Sequence, residues 1–119
     1  MTNRRRHKRV PLISFVVLKV MDGEGMPTIK TLTADISMSG IGLYSRAPLE
    51  LDHDVSIAVN FISNGSLMTE HVEGRVIYVN GIGEFYFVGI EFRQEIASGR
   101  QPSLHQRLQR ILSYYEDTQ

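Results

Sequence analysis

The stretch VSIAVNFISNGS, residues 55–66, gives the clearest indication of the fold of this 119-residue chain. In its first seven residues, large apolar side chains alternate with small or polar ones, which is the period of a strand with one buried face. The stretch ends in Ser63-Asn64-Gly65-Ser66, and Asn-Gly tolerates the positive φ angles of a tight hairpin turn. A strand followed at once by such a turn predicts antiparallel pairing with the next segment.

On both sides of this hairpin, turn-rich breaks divide most of the chain into similar segments. The stretch DGEGMP, residues 22–27, and the stretch NGIG, residues 80–83, have the composition of turns. The predicted strands cover residues 13–21, 28–37, 41–45, 55–61, 67–79 and 84–92. In the second of them, strict alternation puts Leu32 and Ile36 on one face and Asp35 with Ser37 on the other. A tight turn is predicted at residues 38–40.

The last segment has the pattern of a helix at about residues 103–116. Pro102 and Ser103 are start signals. The following apolar residues recur at helical spacing and form one stripe: Leu104, Leu108, Ile111, Leu112 and Tyr115. Six strands joined by short links, with one such helix, predict an all-β fold: a six-stranded antiparallel β-barrel with a C-terminal α-helix. The chain is long enough for one barrel domain, which we place at residues 11–119.

The net charge of zero hides an asymmetry. Residues 1–10 hold five basic residues and no acid: Arg4, Arg5, Arg6, Lys8 and Arg9. The rest of the chain has eight basic and thirteen acidic residues. We therefore predict a flexible basic arm, residues 1–10, that meets an anion. A general DNA- or RNA-binding protein would spread its positive charge over a folded face, so no nucleic-acid partner is expected.

Several classes of protein are excluded or disfavoured by composition. The chain has no cysteine, which excludes disulfides, thiolate metal sites and thiol nucleophiles. The four histidines show no metal-ligand spacing, and no nucleophile has a base at a recognisable distance in sequence, so neither a metal site nor catalysis is expected. Residues 10–20 are apolar after a basic start, but Lys19 interrupts them and no small-residue cleavage site follows. We expect a cytoplasmic protein without membrane insertion.

Two motifs contain the residues suited to binding a ligand. Arg5 and Arg9 lie four residues apart, and guanidinium groups match phosphate oxygens and the O6 and N7 atoms of guanine. Asp35, Ser37 and Gly40 form Asp-x-Ser-x-x-Gly, where a carboxylate can accept hydrogen bonds from guanine N1–H and N2–H2. A solvated basic tail and an ordinary strand-to-turn junction are the alternative interpretations.

Together, and in this order, the two motifs resemble those of the PilZ domain, the bacterial receptor module for cyclic di-GMP. The resemblance covers most of the chain and includes the stretch VGIEF, residues 88–92, as the last barrel strand. It implies that Arg5 and Arg9 grip the ligand's phosphates and guanine edges. It also implies that Asp35, Ser37 and Gly40 cradle the other side of the guanine.

The resemblance suggests further ligand contacts from Arg4, Arg6 and Tyr78. Strict alternation aligns Tyr78 with Val72 and Val76, so packing in the barrel is the competing interpretation for that side chain. Another set of aromatic residues fits either an interaction face or barrel packing: Tyr44, Phe85 and Phe87.

The function predicted from the sequence is a cyclic di-GMP receptor or adaptor with no cofactor. Ligand binding would change the conformation of the arm, and an unidentified effector protein would carry the signal to motility, pili, exopolysaccharide or another surface behaviour. The alternative is a protein- or nucleic-acid-interaction module that uses the basic arm and binds no nucleotide.

Overall fold

The computed structural model describes residues 7–12, 14–21 and 28–117, with side chains described as far as Tyr114. Its elements, in chain order, are β1 (Ser14–Val20), β2 (Thr28–Ile36), β3 (Gly40–Ser45), β4 (Asp54–Ser63), β5 (Ser66–Ile82), β6 (Phe85–Phe92) and α1 (Pro102–Asp117). The strands form a closed antiparallel barrel in the order β1-β2-β3-β6-β5-β4. The predicted fold class is therefore confirmed.

The core lies inside the barrel and is built from alternate residues of each strand. In β4, Val55, Ile57 and Val59 are fully buried, and the residues between them are partly exposed. Fully buried apolar side chains of β3 and β6 face them across the interior: Ile41, Leu43, Val88 and Ile90. The large apolar residues of the alternating stretch thus form the inward face of β4.

The hairpin predicted at Asn-Gly joins β4 to β5. Asn64 has φ 52° and Gly65 has φ 79°, the positive values that a two-residue hairpin turn requires. Beyond the turn, β5 runs for 17 residues, past the predicted end at residue 79. Its first part pairs with β4 and its second part with β6, so one strand belongs to two hairpins.

Two bulges change which side chains face the core. In β2 the register shifts between Thr33 and Asp35, which leaves Ala34 as the extra residue. Leu32 is consequently 65% exposed, whereas Ile36 is fully buried. The prediction that these two residues share a face was wrong, because strict alternation does not survive a bulge.

The second bulge lies in β5, where the register shifts between Val76 and Tyr78 and Ile77 is the extra residue. Val72 and Val76 are buried, but Tyr78 is 49% exposed on the outer face. Packing of Tyr78 with those valines inside the barrel is therefore incorrect.

Helix α1 packs against β5 of the barrel, with Leu104 and Leu108 fully buried in the core. The Glu70 carboxylate of β5 accepts hydrogen bonds from the first-turn amides of Ser103, at 3.1 Å, and Leu104, at 2.6 Å. A helix leaves its first amides without intrahelical partners, so this carboxylate ties the helix start to the barrel. The side chain of Tyr115 lies outside the described part. Within the described residues, no helix is long and apolar enough to cross a membrane.

Candidate functional site

The segment before β1 is attached to the end of β2. Val10 and Ile36 form an antiparallel bridge, with N···O distances of 2.8 and 2.9 Å in the two directions. Both side chains are buried in the core. Successive side chains of extended backbone point to opposite sides, so the neighbours Arg9 and Asp35 both lie on the outside of the barrel.

Arg9 and Asp35 form an ion pair at this position. The distance from Nη1 of Arg9 to Oδ1 of Asp35 is 2.8 Å. The two side chains are 14% and 31% exposed, so the pair is partly shielded from water. The Nε atom of Arg9 is buried and has no hydrogen-bond partner among the described residues. The pair thus holds one residue of each motif together and leaves donor capacity on the arginine.

Ser37 and Gly40 form the turn that follows Asp35. The Ser37 hydroxyl accepts hydrogen bonds from the amides of Ser39 and Gly40, both at 3.1 Å, and the Ser37 amide donates to the Gly40 carbonyl at 2.8 Å. A Cβ on Gly40 would lie 2.7 Å from the Ile90 carbonyl oxygen and 3.5 Å from Nη2 of Arg9. Ser37 is buried, so these contacts shape the backbone beside Asp35.

Asp35 is the first residue of a row across the outer face of four strands. It pairs with Gly42 of β3, Gly42 pairs with Gly89 of β6, and Gly89 pairs with Tyr78 of β5. The row therefore begins at a carboxylate, crosses two glycines and ends at an exposed phenol ring. Such an arrangement offers a hydrogen-bond acceptor and an aromatic surface on one face of the sheet.

Tyr44 and Phe87, which pair with each other in the next outward-facing row, pack together with the ring of Tyr78. Phe87 packs edge-on between Tyr44, at 5.6 Å between centroids, and Tyr78, at 6.0 Å. Further along the same face, the Arg46 guanidinium lies 5.3 Å from the centroid of the Phe85 ring. All three candidate interaction residues, Tyr44, Phe85 and Phe87, therefore lie on the outer face, and none belongs to the barrel core.

Of the residues predicted to bind a ligand, the structure brings together Arg9, Asp35, Ser37 and Gly40 at one end of the row, with Tyr78 at the other. The remaining arginines of the arm, Arg4, Arg5 and Arg6, lie outside the described residues. No group of three His, Cys, Asp or Glu side chains in the described ranges could hold a metal ion. A pocket of about 320 Å³ is lined in part by Gly74, Arg75 and Glu91. It lies on the Gly40 side of the Asp35 row, because Glu91 pairs with both Gly40 and Arg75.

The sequence did not single out Gly42 or Gly89 as site residues. Both lie outside the two motifs, and their place between Asp35 and Tyr78 follows from strand pairing and from two bulges. The signal that was available is the repeated small residue in Gly40-Ile41-Gly42 and at Gly89, each within an otherwise apolar strand.

The fold and site define a class: a closed six-stranded antiparallel barrel with a terminal helix and an arginine–aspartate pair on its outer face. The family model described as "PilZ domain" matches residues 3–113. The chain belongs to the PilZ domain family. No curated protein matches it.

Solved structures show the same fold at low sequence identity. The Bacillus subtilis inhibitor of motility, MotI/DgrA, superposes with a TM-score of 0.72 at 17% identity, covering 94% of this chain and 53% of that one. The PilZ domain of YcgR from Escherichia coli, solved with c-di-GMP, has a TM-score of 0.65 at 19% identity, covering 98% and 94%. The MrkH–c-di-GMP complex from K. pneumonia has a TM-score of 0.65 at 17% identity, covering 98% and 56%. The chain therefore spans about half the length of the Bacillus inhibitor and of MrkH, but nearly all of the YcgR PilZ domain.

Proposed function

We propose that this protein is a receptor for cyclic di-GMP, in which the ligand draws Arg4, Arg5 and Arg6 of the basic arm against the barrel of residues 11–119, to which Val10 is already bridged. The observation that carries the proposal is the ion pair between Arg9 and Asp35 at 2.8 Å, which joins the two motifs on the outer face. Structural relatives with the same fold, the PilZ domain of YcgR and MrkH, were solved with c-di-GMP.

The chemistry of the ion pair suits this ligand. Asp35 uses Oδ1 for Arg9, and a carboxylate offers roughly four acceptor positions, so Asp35 can also accept from guanine N1–H and N2–H2. Arg9 has donors left for a phosphate or for guanine O6 and N7. Ser37 and Gly40 act by fixing the backbone turn beside Asp35. Tyr78 offers its ring at the far end of the row.

The arm supplies the remaining contacts in this proposal. Arg5 is the second arginine of the first motif, and Arg4 and Arg6 add positive charge toward the ligand's two phosphates. An arm that is ordered by the ligand loses conformational entropy on binding, which the charge-assisted hydrogen bonds offset. The ligand shifts the arm only to the extent that it binds the closed form more tightly than the open form.

The output would pass to an unidentified effector protein through the surface that the arm, ligand and barrel form together. Control of motility, pili, exopolysaccharide or another surface behaviour is the expected outcome of that signal. Such a receptor would need neither catalysis nor a cofactor, and no DNA or RNA partner. The cytoplasm is the compartment in which such a receptor meets its ligand.

Calorimetric titration with cyclic di-GMP tests the proposal, with GTP and cyclic di-AMP as controls. We expect saturable binding of cyclic di-GMP alone, lost in Arg5→Ala, Arg9→Ala and Asp35→Ala. Arg93→Ala is the matched control, because Arg93 is an exposed arginine paired with Asp54 at 3.2 Å, away from the row. The stoichiometry decides between one nucleotide and a stacked pair. Absence of heat and of any thermal shift at high ligand excess would overturn the proposal.

The movement of the arm has its own test. Trypsin cleaves after the basic residues of the arm, and we expect saturating cyclic di-GMP, but not GTP, to slow cleavage after Arg5 and Arg6 by about tenfold. Equal rates with and without ligand, in a protein that binds the ligand calorimetrically, would mean that the arm does not close. Strong binding to RNA or DNA without any preference for cyclic di-GMP would instead favour the interaction module.

A further inference from the structure

Phe87 is an aromatic residue with no role in the barrel core. Its strand neighbour Val88 is fully buried and faces inward, so Phe87 faces outward. Its ring is braced edge-on by Tyr44, with an interplanar angle of 66°, and by Tyr78, with an angle of 67°. Edge-to-face contacts of this kind favour one orientation of a ring, so Phe87 is held on an otherwise solvent-facing surface.

The ring of Phe87 reaches over Gly42 to the side of Asp35. A Cβ built on Gly42 would lie 2.8 Å from Cζ of Phe87 and 2.8 Å from Oδ1 of Asp35. The ring edge and the carboxylate oxygen therefore approach the same point above the sheet. Any side chain at position 42 would push one of them away, so the glycine is what allows the two groups to lie together.

We infer that Phe87 is the apolar wall against which the base held by Asp35 packs, and that Gly42 positions this wall. The inference rests on the proposed function and adds a specificity determinant outside the two sequence motifs. A guanine has donors on one edge and large apolar faces, and the pairing of a carboxylate with a ring satisfies both. Adenine presents the unprotonated N1 acceptor to the carboxylate, so the same site disfavours it.

Phe87→Leu tests the wall, because leucine keeps the apolar character and removes the ring. Loss of base–aromatic packing predicts cyclic di-GMP binding weaker by about tenfold or more by calorimetry. Phe85→Leu is the matched control, since Phe85 is an exposed phenylalanine two residues earlier on the same face of β6, paired with Ile82 and away from Asp35. We expect its affinity to stay within about twofold of the unsubstituted protein.

A fluorescence measurement keeps the test independent of folding defects. The chain has no tryptophan, so Phe87→Trp introduces a single reporter that retains an aromatic wall. We expect the variant to bind, with tryptophan emission changing along the calorimetric isotherm, while the emission of Phe85→Trp stays constant. Adding Gly42→Ala to Phe87→Trp should shift the emission of the free protein and weaken binding, because the ring is displaced.

The outcomes separate the two proposals. Absence of cyclic di-GMP binding by the unsubstituted protein overturns the proposed function. Binding by the unsubstituted protein, together with unchanged affinity in Phe87→Leu and constant emission in Phe87→Trp, overturns the inference about Phe87 and leaves the receptor proposal standing.

Discussion

Arg9 and Asp35, 26 residues apart in the chain, meet at 2.8 Å because their chain neighbours Val10 and Ile36 are bridged to each other. The bridge buries two apolar side chains and thereby turns the charged neighbours outward to the same place. The site is therefore coupled to the core: the hydrophobic anchoring of Val10 sets the position of the arginine. Because of this coupling, substitutions of Arg9 or Asp35 should change the free energy of unfolding as well as ligand affinity.

The ion pair should contribute to the free energy of unfolding. A double-mutant cycle with Arg9→Met and Asp35→Asn should give a coupling energy of about 1 kcal/mol, because the pair is partly shielded but still borders solvent. Urea unfolding of the four proteins measures it. Arg75 and Glu91, exposed and 4.0 Å apart, are the control pair, for which we expect coupling near zero. Additive effects of Arg9→Met and Asp35→Asn would contradict the pairing.

Gly40 should tolerate no side chain. In Gly40→Ala the new Cβ would meet the backbone oxygen of Ile90 at 2.7 Å, and a strand backbone cannot move aside as a flexible side chain can. We expect a loss of stability of about 2 kcal/mol. In Gly99→Ala the new Cβ meets nothing within 4 Å, so the free energy of unfolding should be unchanged or slightly higher. Equal midpoints of denaturation for the two variants would refute the close approach at Gly40.

Ser37 should act through the turn it organises. Ser37→Ala removes the acceptor for the amides of Ser39 and Gly40, and buried amides without partners are costly. We expect a loss of about 1–2 kcal/mol in stability. Ser45 offers a comparison, since its hydroxyl accepts from the amide of Ala47 at 3.1 Å away from the site. Ser45→Ala should also destabilise the protein but leave its affinity for cyclic di-GMP unchanged. Ser37→Ala should weaken that affinity. Equal affinities of the two variants would rule out a role for the Ser37 turn in binding.

Glu70 should anchor the start of α1. Glu70→Ala removes both hydrogen bonds to the first-turn amides, and we expect a loss of about 1 kcal/mol with lower helical signal in circular dichroism before the main transition. Glu73→Ala is the matched control, because Glu73 is an exposed glutamate on the same strand. An unchanged helix in Glu70→Ala would show that the buried leucines of α1 hold it in place by themselves.

The number of strands and their places along the chain, the Asn-Gly hairpin and the helix could be predicted because their signals are local. Alternation in β4 reports a buried face directly, and Gly65 reports the turn. The bulges at Ala34 and Ile77 could not be predicted in this way. Neither residue has a local signature of irregular pairing, and each bulge is defined only by the register against the partner strand.

The same limit applies to the site. Arg9 and Asp35 were predicted as members of two motifs, but their contact depends on a bridge that involves Val10, whose side chain gives no hint of its partner in the sequence. The places of Gly42 and Phe87 beside Asp35 depend on the register between β3 and β6. Motifs indicated the chemistry of the site, and nonlocal pairing determined which other side chains surround it.

The pairing of β5 with both β4 and β6 affects how the protein unfolds. The Glu70 end of β5 fastens the helix and the Tyr78 end borders the ligand row, and the two hairpins that share the strand cannot separate without breaking it. The barrel and helix should therefore melt as one cooperative unit. A ligand bound only at the outer face of β2, β3, β6 and β5 would then raise the melting temperature of the whole molecule, and hydrogen exchange would slow in β4 and α1 as well as at the site.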